Sequence, residues 1–175
     1  AFTELLGAIA TPRAIVASLD NQFVYVVGND GGSGRLDVYS RNGTGLDTTA
    51  VQSLIDGVGG TQGLTDATAI AVAQTAVGEF IHVTATNAGS PSLAVFQRDT
   101  TSGSLEFLQI LSGADGLNDA SAIVTTATGA YVASRSDFGL GAGGVASFDV
   151  VVSDSGDLEP DVLDVSFSGV ESLTL

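Results

Sequence analysis

For acid–base or nucleophilic chemistry the sequence offers one histidine, no cysteine and twenty carboxylates. His82 is the only histidine and the chain has no cysteine, which excludes disulfides, zinc–thiolate sites and cysteine nucleophiles. A general base must therefore be His82 or a carboxylate. His82 stands where two other sequence repeats, described below, carry Tyr25 and Tyr131. That position suits an aromatic ring with a polar tip, so we expect a structural role for His82 and predict no catalytic residue.

Arginine supplies every basic side chain, because the five basic residues include no lysine. Arg41 and Arg98 hold equivalent positions in two repeats, which favours a structural role such as pairing with a neighbouring carboxylate. Arg13 differs, because its equivalents are Thr68 and Ser121. An arginine at an unrepeated position can bind a carboxylate or phosphate through two parallel hydrogen bonds. Arg13 is therefore the candidate ligand-binding residue.

Carboxylates supply the candidate metal ligands. Asp66 and Asp119 precede equivalent strands, where they form either Asx turns or a ring of carboxylates able to bind Ca²⁺. The densest acidic stretch contains Asp154, Asp157, Glu159, Asp161 and Asp164. Its spacing does not match an EF-hand loop, and Ca²⁺ needs about six to eight oxygen ligands, so a solvated acidic surface is the alternative. Calcium is the only cofactor suggested, with Asp66, Asp119, Asp154, Asp157 and Glu159 as candidate ligands.

Two short motifs are better explained by turns than by ligand binding. The run Gly139–Gly144 matches G-x-G-x-x-G, but a strand and not a helix follows it, so it predicts a hairpin loop. The triplet Asn42-Gly43-Thr44 is a glycosylation sequon. Asn-Gly also favours a hairpin turn, which we expect here. Asn42 is therefore a turn residue and a candidate glycosylation site.

The elements that position these residues repeat three times along the chain. Ile15, Ile70 and Ile123 hold one position, 55 and 53 residues apart, and Tyr39, Phe96 and Phe148 hold another. Each repeat contains four short runs rich in Val, Ile, Thr, Tyr and Phe, which is typical of β-strands. Apolar residues alternate within these runs, and no sustained helical period is found.

Four strands over about fifty residues, repeated, are typical of the blade of a β-propeller. We therefore predict an all-β fold, a partial β-propeller of about three four-stranded blades plus an N-terminal extra strand. The blades are expected at about residues 11–64, 65–117 and 118–163. Residues 1–10 then form an outer strand of a neighbouring blade, and residues 164–175 a C-terminal strand or linker. A β-sandwich is the alternative, but it does not require its thirds to be alike.

Three kinds of segment carry a family resemblance. They are the first strand 66–72, the third strand and hairpin 93–105, and the loops 56–60 and 115–117. Together they resemble the repeats of lactonase-type, 6-phosphogluconolactonase-like seven-bladed β-propellers, over about residues 1–163. The resemblance implies either hydrolysis of a sugar lactone or a module of a large secreted or surface bacterial protein. The tail 167–175 resembles linking strands of very large bacterial surface proteins.

Charge and hydropathy limit the partners. The net charge of −15 makes nucleic-acid binding improbable, because no basic surface is available to neutralise phosphates. No apolar run has the length of a membrane span. An Asp-rich, lysine-free composition favours an extracellular or cell-surface location. The expected partners are other copies of the chain or the rest of a larger chain, because a partial ring leaves open sheet edges.

The sequence favours a non-enzymatic function. Polar positions mostly repeat between blades, whereas an enzyme needs polar groups that converge at one place. We therefore predict a structural or binding module of a secreted or surface-displayed assembly, joined to its neighbours by β-strand edge pairing. The alternatives are a lactonase-like sugar-lactone hydrolase and a calcium-stiffened adhesin domain.

Overall fold

Twelve β-strands form three four-stranded antiparallel sheets in a computed structural model that describes residues 9–43, 45–114, 116–135, 144–154 and 163–174. This arrangement confirms the predicted all-β class and is consistent with a partial propeller. Within the described ranges, no helix has the length and apolar character needed to cross a bilayer.

Each sheet follows the order of its strands along the chain. The first sheet contains β1 (Thr11–Ala17), β2 (Phe23–Asp30), β3 (Ser33–Ser40) and β4 (Gln52–Ile55). The second contains β5 (Ala67–Thr75), β6 (Gly78–Ala85), β7 (Ser92–Arg98) and β8 (Leu105–Ser112), with a single 3₁₀ turn at Asn87–Gly89. The third contains β9 (Ala120–Thr125), β10 (Gly129–Ser134), β11 (Gly144–Asp154) and β12 (Leu163–Thr174).

Several predicted features lie partly or wholly outside the residues that the structure describes. The predicted extra strand lies in residues 1–10, of which 1–8 are outside the described part of the chain. Most of the glycine-rich loop at 139–144 and the acidic residues Asp157, Glu159 and Asp161 are also outside it. The strand β12 begins at Leu163 and pairs with β11 as far as Thr174, so it extends through most of the predicted C-terminal segment.

The middle sheet is buried on both faces. Successive side chains of a strand point to opposite faces of its sheet. The strand β6 therefore contributes side chains to the packing on both faces. Ile81 and Val83 pack with Tyr25 and other residues of the first sheet. Phe80 instead packs with Ile123 and other residues of the third sheet. Two apolar cores therefore lie between three stacked sheets.

The first strands of the three sheets lie side by side, because β5 contacts both β1 and β9. The loop that leads into β5 also closes tightly on the first sheet. A Cβ added to Gly34 would lie 2.0 Å from the backbone carbonyl carbon of Leu64, so only glycine fits there. This close approach brings the entry of β5 next to the end of β2, where the candidate site lies.

Candidate functional site

A β-bulge near the start of each first strand re-aims one side chain. In β1 the pairing register shifts between Pro12 and Ala14, which leaves Arg13 as the inserted residue. The equivalent shifts leave Thr68 inserted in β5 and Ser121 inserted in β9. Bulges of this kind are enriched beside active sites because they redirect a side chain out of the sheet's regular alternation. Arg13, Thr68 and Ser121 thus form one set across the three sheets.

These three side chains line one cleft. Its volume is about 380 Å³, and its walls also include Asp66, Thr86 and Arg135. Thr86 and Arg135 follow the ends of β6 and β10, which pair with the first strands β5 and β9. The cleft therefore combines two guanidinium groups, three hydroxyl groups and one carboxylate.

Asp66 is held in a strained but well-supported conformation at the cleft wall. Its φ is 55°, in the left-handed region, which aspartate tolerates better than most residues. The Asn29 amide donates to Asp66 Oδ1 at 2.6 Å and accepts from the Asp66 backbone N–H at 3.1 Å. This reciprocal pair joins the first sheet to the entry of the second, and Asp119 has the same left-handed conformation, with φ 49°.

The arginines divide by environment. Arg35 and Arg98 form ion pairs with carboxylates, and Arg41 donates to the Asn21 carbonyl at 3.0 Å. Within the described ranges, no ion pair involves Arg13 or Arg135. In a chain of net charge −15, the described part of the cleft therefore contains two guanidinium groups without an ion pair beside one carboxylate, that of Asp66.

Arg135 was not predicted as a site residue, although the sequence contains the same kind of pattern that identified Arg13. Its equivalents, counted from Tyr25, His82 and Tyr131, are Asn29 and Thr86. The residue type at this position therefore differs between the repeats, as it does at the position of Arg13. Applying the same criterion at the end of every second strand would have found it. What could not be found from sequence is that the two positions share one cleft.

The structure places His82 away from the cleft. Its side chain is 1% exposed and lies on the face of β6 that packs against the third sheet, between Ala71 and Val95 on the neighbouring strands. Neither ring nitrogen has a hydrogen-bond partner within the described part of the chain. Burial lowers the pKa of His82 to about 4, so the ring is neutral at pH 7.

The acidic candidates are not gathered into one group. Among the residues that the structure describes, no three His, Asp or Glu side chains are close enough to hold a metal ion. Asp66 and Asp119 occupy the entries of two different sheets, and the former is bonded to Asn29. Asp154 ends β11, and its side chain lies outside the described part, as do Asp157 and Glu159. Calcium binding therefore stays a prediction.

Asn42 lies in a turn, as expected for its Asn-Gly dipeptide. It is exposed, its side chain donates to Asp47 Oδ1 at 2.6 Å, and the following Gly43 has φ 72°. Hydrogen bonds from Ser40 and Asn42 lower the pKa of Asp47. Glycosylation of Asn42 stays a prediction.

Comparisons with known proteins agree with the fold. No protein-family model and no curated protein matches the chain. Among solved structures, a periplasmic gluconolactonase from Pseudomonas aeruginosa matches with a TM-score of 0.59, 22% identity and coverage of 93% of this chain. A putative 6-phosphogluconolactonase from Bacteroides fragilis NCTC 9343 matches with a TM-score of 0.57, 18% identity and coverage of 90%.

Both of these neighbours are longer than this chain. The chain spans 42% of the length of each protein, so it corresponds to less than half of either fold. Similarity at these identities shows the fold alone. Both neighbours are lactonases by name.

Proposed function

We propose that the three sheets are part of a lactonase-type propeller, and that the cleft of Arg13 and Arg135 binds a sugar lactone or the sugar acid formed from it. The observation that supports this most strongly is that two arginines, which form no ion pair within the described residues, converge on one cleft. Guanidinium groups bind carboxylates and polarised carbonyl oxygens, and hydroxyl groups suit the hydroxyls of a sugar.

Five of the six polar side chains of the cleft have a proposed role in lactone hydrolysis. A water molecule attacks the lactone carbonyl carbon while Asp66 Oδ2 accepts its proton, because Asp66 Oδ1 is already bonded to Asn29. The carbonyl oxygen becomes an oxyanion, which Arg13 and Arg135 stabilise. Collapse of the tetrahedral intermediate breaks the ring C–O bond, and the departing ring oxygen takes the proton back. The Thr68 and Ser121 hydroxyls donate to the Thr84 and Ala133 carbonyls, so their oxygens orient the sugar by accepting hydrogen bonds from its hydroxyls.

Hydrolysis of glucono-δ-lactone, followed by acid release in a pH-stat, tests this proposal. We expect the wild-type chain to exceed the spontaneous rate. Asp66→Asn should reduce kcat by about 10²-fold or more, and Arg13→Gln or Arg135→Gln by a comparable factor. Arg41→Gln removes an arginine outside the cleft and should leave the rate unchanged. A wild-type chain that only matches the spontaneous rate would overturn the proposal.

A structural or binding module of a secreted or surface assembly is the second candidate. The exposed apolar face of the third sheet favours it, because Tyr131 is 46% exposed and Val124 is exposed on the same face. Native mass by light scattering separates the candidates. A polymer that resists dilution, together with no lactone hydrolysis, would favour the module, whereas an active monomer or dimer would favour the lactonase-like function.

A further inference from the structure

Asn29 binds Asp66 across the junction between the first and second sheets. Its amide donates to Asp66 Oδ1 at 2.6 Å, and its Oδ1 accepts from the Asp66 backbone N–H at 3.1 Å. A hydrogen bond to a carboxylate is stronger than one between neutral groups. Asn29 is itself anchored, because it pairs with Thr11 on β1 and with Gly34 on β3. Asn29 therefore fixes the direction in which the Asp66 carboxylate points.

The main chain around Asp66 has supports that do not involve Asn29. The hydroxyl of the preceding residue, Thr65, donates to Asp56 Oδ2 at 2.7 Å. The Thr86 N–H donates to the Asp66 carbonyl at 3.2 Å. Loss of the Asn29 amide should therefore leave the entry of β5 in place. What it frees is the Asp66 carboxylate, which can then move to another side-chain rotamer.

The same cleft contains two cations toward which that carboxylate could turn. Arg13 and Arg135 line it together with Asp66, and all three residues are exposed. Within the described part of the chain, neither arginine forms an ion pair, and Asp66 supplies the only carboxylate of the cleft wall. Opposite charges attract within a cleft of about 380 Å³. The bond to Asn29 therefore competes with an ion pair that would partly neutralise the cleft.

We propose that Asn29 is a positioning residue that holds the Asp66 carboxylate away from Arg13 and Arg135 and so keeps both guanidinium groups available to an anion. The class of anion, a sugar acid, rests on the proposed function, but the restraint on Asp66 requires no hydrolysis. Asn29 is not among the described residues that line the cleft. Replacing it should nevertheless weaken anion binding, and should do so only while Asp66 carries its carboxylate.

Chemical modification measures the availability of each arginine without any ligand. Phenylglyoxal reacts more slowly with a guanidinium that a carboxylate holds, and peptide mass spectrometry gives the rate at each arginine. At low ionic strength, we expect Asn29→Leu to slow the reaction at Arg13, Arg135 or both by about twofold to fivefold, the size of an exposed ion pair. The dissociation constant for gluconate, from isothermal titration, should rise by a comparable factor. Added to Asp66→Asn, the same substitution should change neither quantity.

Gln52→Met is the matched control, because Gln52 is also a half-buried amide that joins the first sheet to the second. It donates to the Leu105 carbonyl at 2.9 Å and accepts from the Leu105 N–H at 2.7 Å. Its loss should lower the free energy of unfolding in urea titrations, as loss of Asn29 should, without changing arginine reactivity or gluconate affinity. An equal effect of both variants on reactivity would show that Asn29 acts through general stability, and would overturn the proposal.

The outcomes separate the positioning role from the proposed hydrolysis. The positioning role is overturned if Asn29→Leu leaves arginine reactivity at the wild-type rate, or if its effects persist in the Asp66→Asn background. A wild-type chain that hydrolyses no lactone but shows the expected reactivity changes would contradict hydrolysis and support the restraint. A wild-type chain that binds no gluconate would overturn the sugar acid as the ligand, and the reactivity of Arg13 and Arg135 would still decide whether Asn29 restrains Asp66.

Discussion

The two junctions between sheets have the same geometry and different chemistry. The first and second sheets are joined by polar contacts at the rim of an apolar core, through the pairs Arg98–Asp20, Asn29–Asp66, Gln52–Leu105 and Tyr25–Gly103. The second and third sheets enclose mainly apolar side chains and the buried imidazole of His82, and one side-chain hydrogen bond joins them, from Thr125 Oγ1 to the Val72 carbonyl at 2.8 Å. Repeated strands thus fix how the sheets stack, while unrepeated residues decide what holds each pair together.

Removing Arg98 should produce the largest difference between the junctions. Arg98→Ala leaves Glu79, whose side chain is 3% exposed, without a counter-charge. We expect it to cost about 3–5 kcal/mol of unfolding free energy in urea titrations. Arg41→Ala, at the equivalent exposed position, should cost less than about 1 kcal/mol. Equal losses would show that the ion pair does not distinguish the first junction.

Acidification should weaken the junction between the second and third sheets before it weakens the junction between the first and second sheets. The folded-state pKa of His82 is about 4, below its ordinary value of 6.5, so its contribution is complete above pH 6.5 and is lost as the pH falls towards 4. We expect wild type to lose up to about 3 kcal/mol relative to His82→Leu between pH 7 and pH 4. Parallel pH profiles of the two proteins would contradict this expectation.

The Asp20–Arg98 contact should persist to lower pH. Burial raises the pKa of Asp20, but hydrogen bonds from Ser18, Arg98 and the Gln22 N–H outweigh it and lower the pKa to about 2. Its contribution is therefore present above pH 3.8 and is lost only as the pH falls through about 2. Asp20→Asn should accordingly change the profile only below about pH 4, which serves as the control for His82→Leu.

A smaller effect is expected from the hairpin that packs against the first junction. Gly103 has φ 74°, and a Cβ added there would lie 2.3 Å from the Phe23 ring. Gly113 has φ 68° and no atom within 4 Å of such a Cβ. Both alanine variants incur the cost of a left-handed conformation, about 1 kcal/mol. Gly103→Ala should lose about 1–3 kcal/mol more, measured by thermal unfolding. Equal losses would mean that Phe23 moves aside freely.

The repeat made much of the fold predictable. The spacing of the repeats located the three groups of four strands. Alternation supported this only where a strand is buried on one face, because a strand buried on both faces has a continuous apolar run. The end of the third sheet was less predictable, since β12 continues to Thr174 through residues that do not follow the blade pattern. Pairing with the long β11 extends that strand, and pairing partners are not visible in the local sequence.

The candidate site was predictable only in part. Arg13 was identified as a candidate because its residue type differs from those at the equivalent positions of the other repeats. Arg135 could have been identified in the same way. The bulges at Arg13, Thr68 and Ser121 could not be predicted from the sequence, because a bulge is a property of two paired strands. The bond between Asn29 and Asp66 joins residues 37 positions apart and likewise depends on how the sheets stack.

We propose that the two arginines make the cleft an anion site in a strongly acidic chain. Isothermal titration with sodium gluconate, at low and constant ionic strength, tests it most directly. We expect gluconate to bind saturably to wild type and to Arg41→Gln, and to bind about tenfold to hundredfold more weakly to Arg13→Gln and to Arg135→Gln. Undiminished binding to the double variant Arg13→Gln/Arg135→Gln, or no saturable binding to wild type, would contradict it.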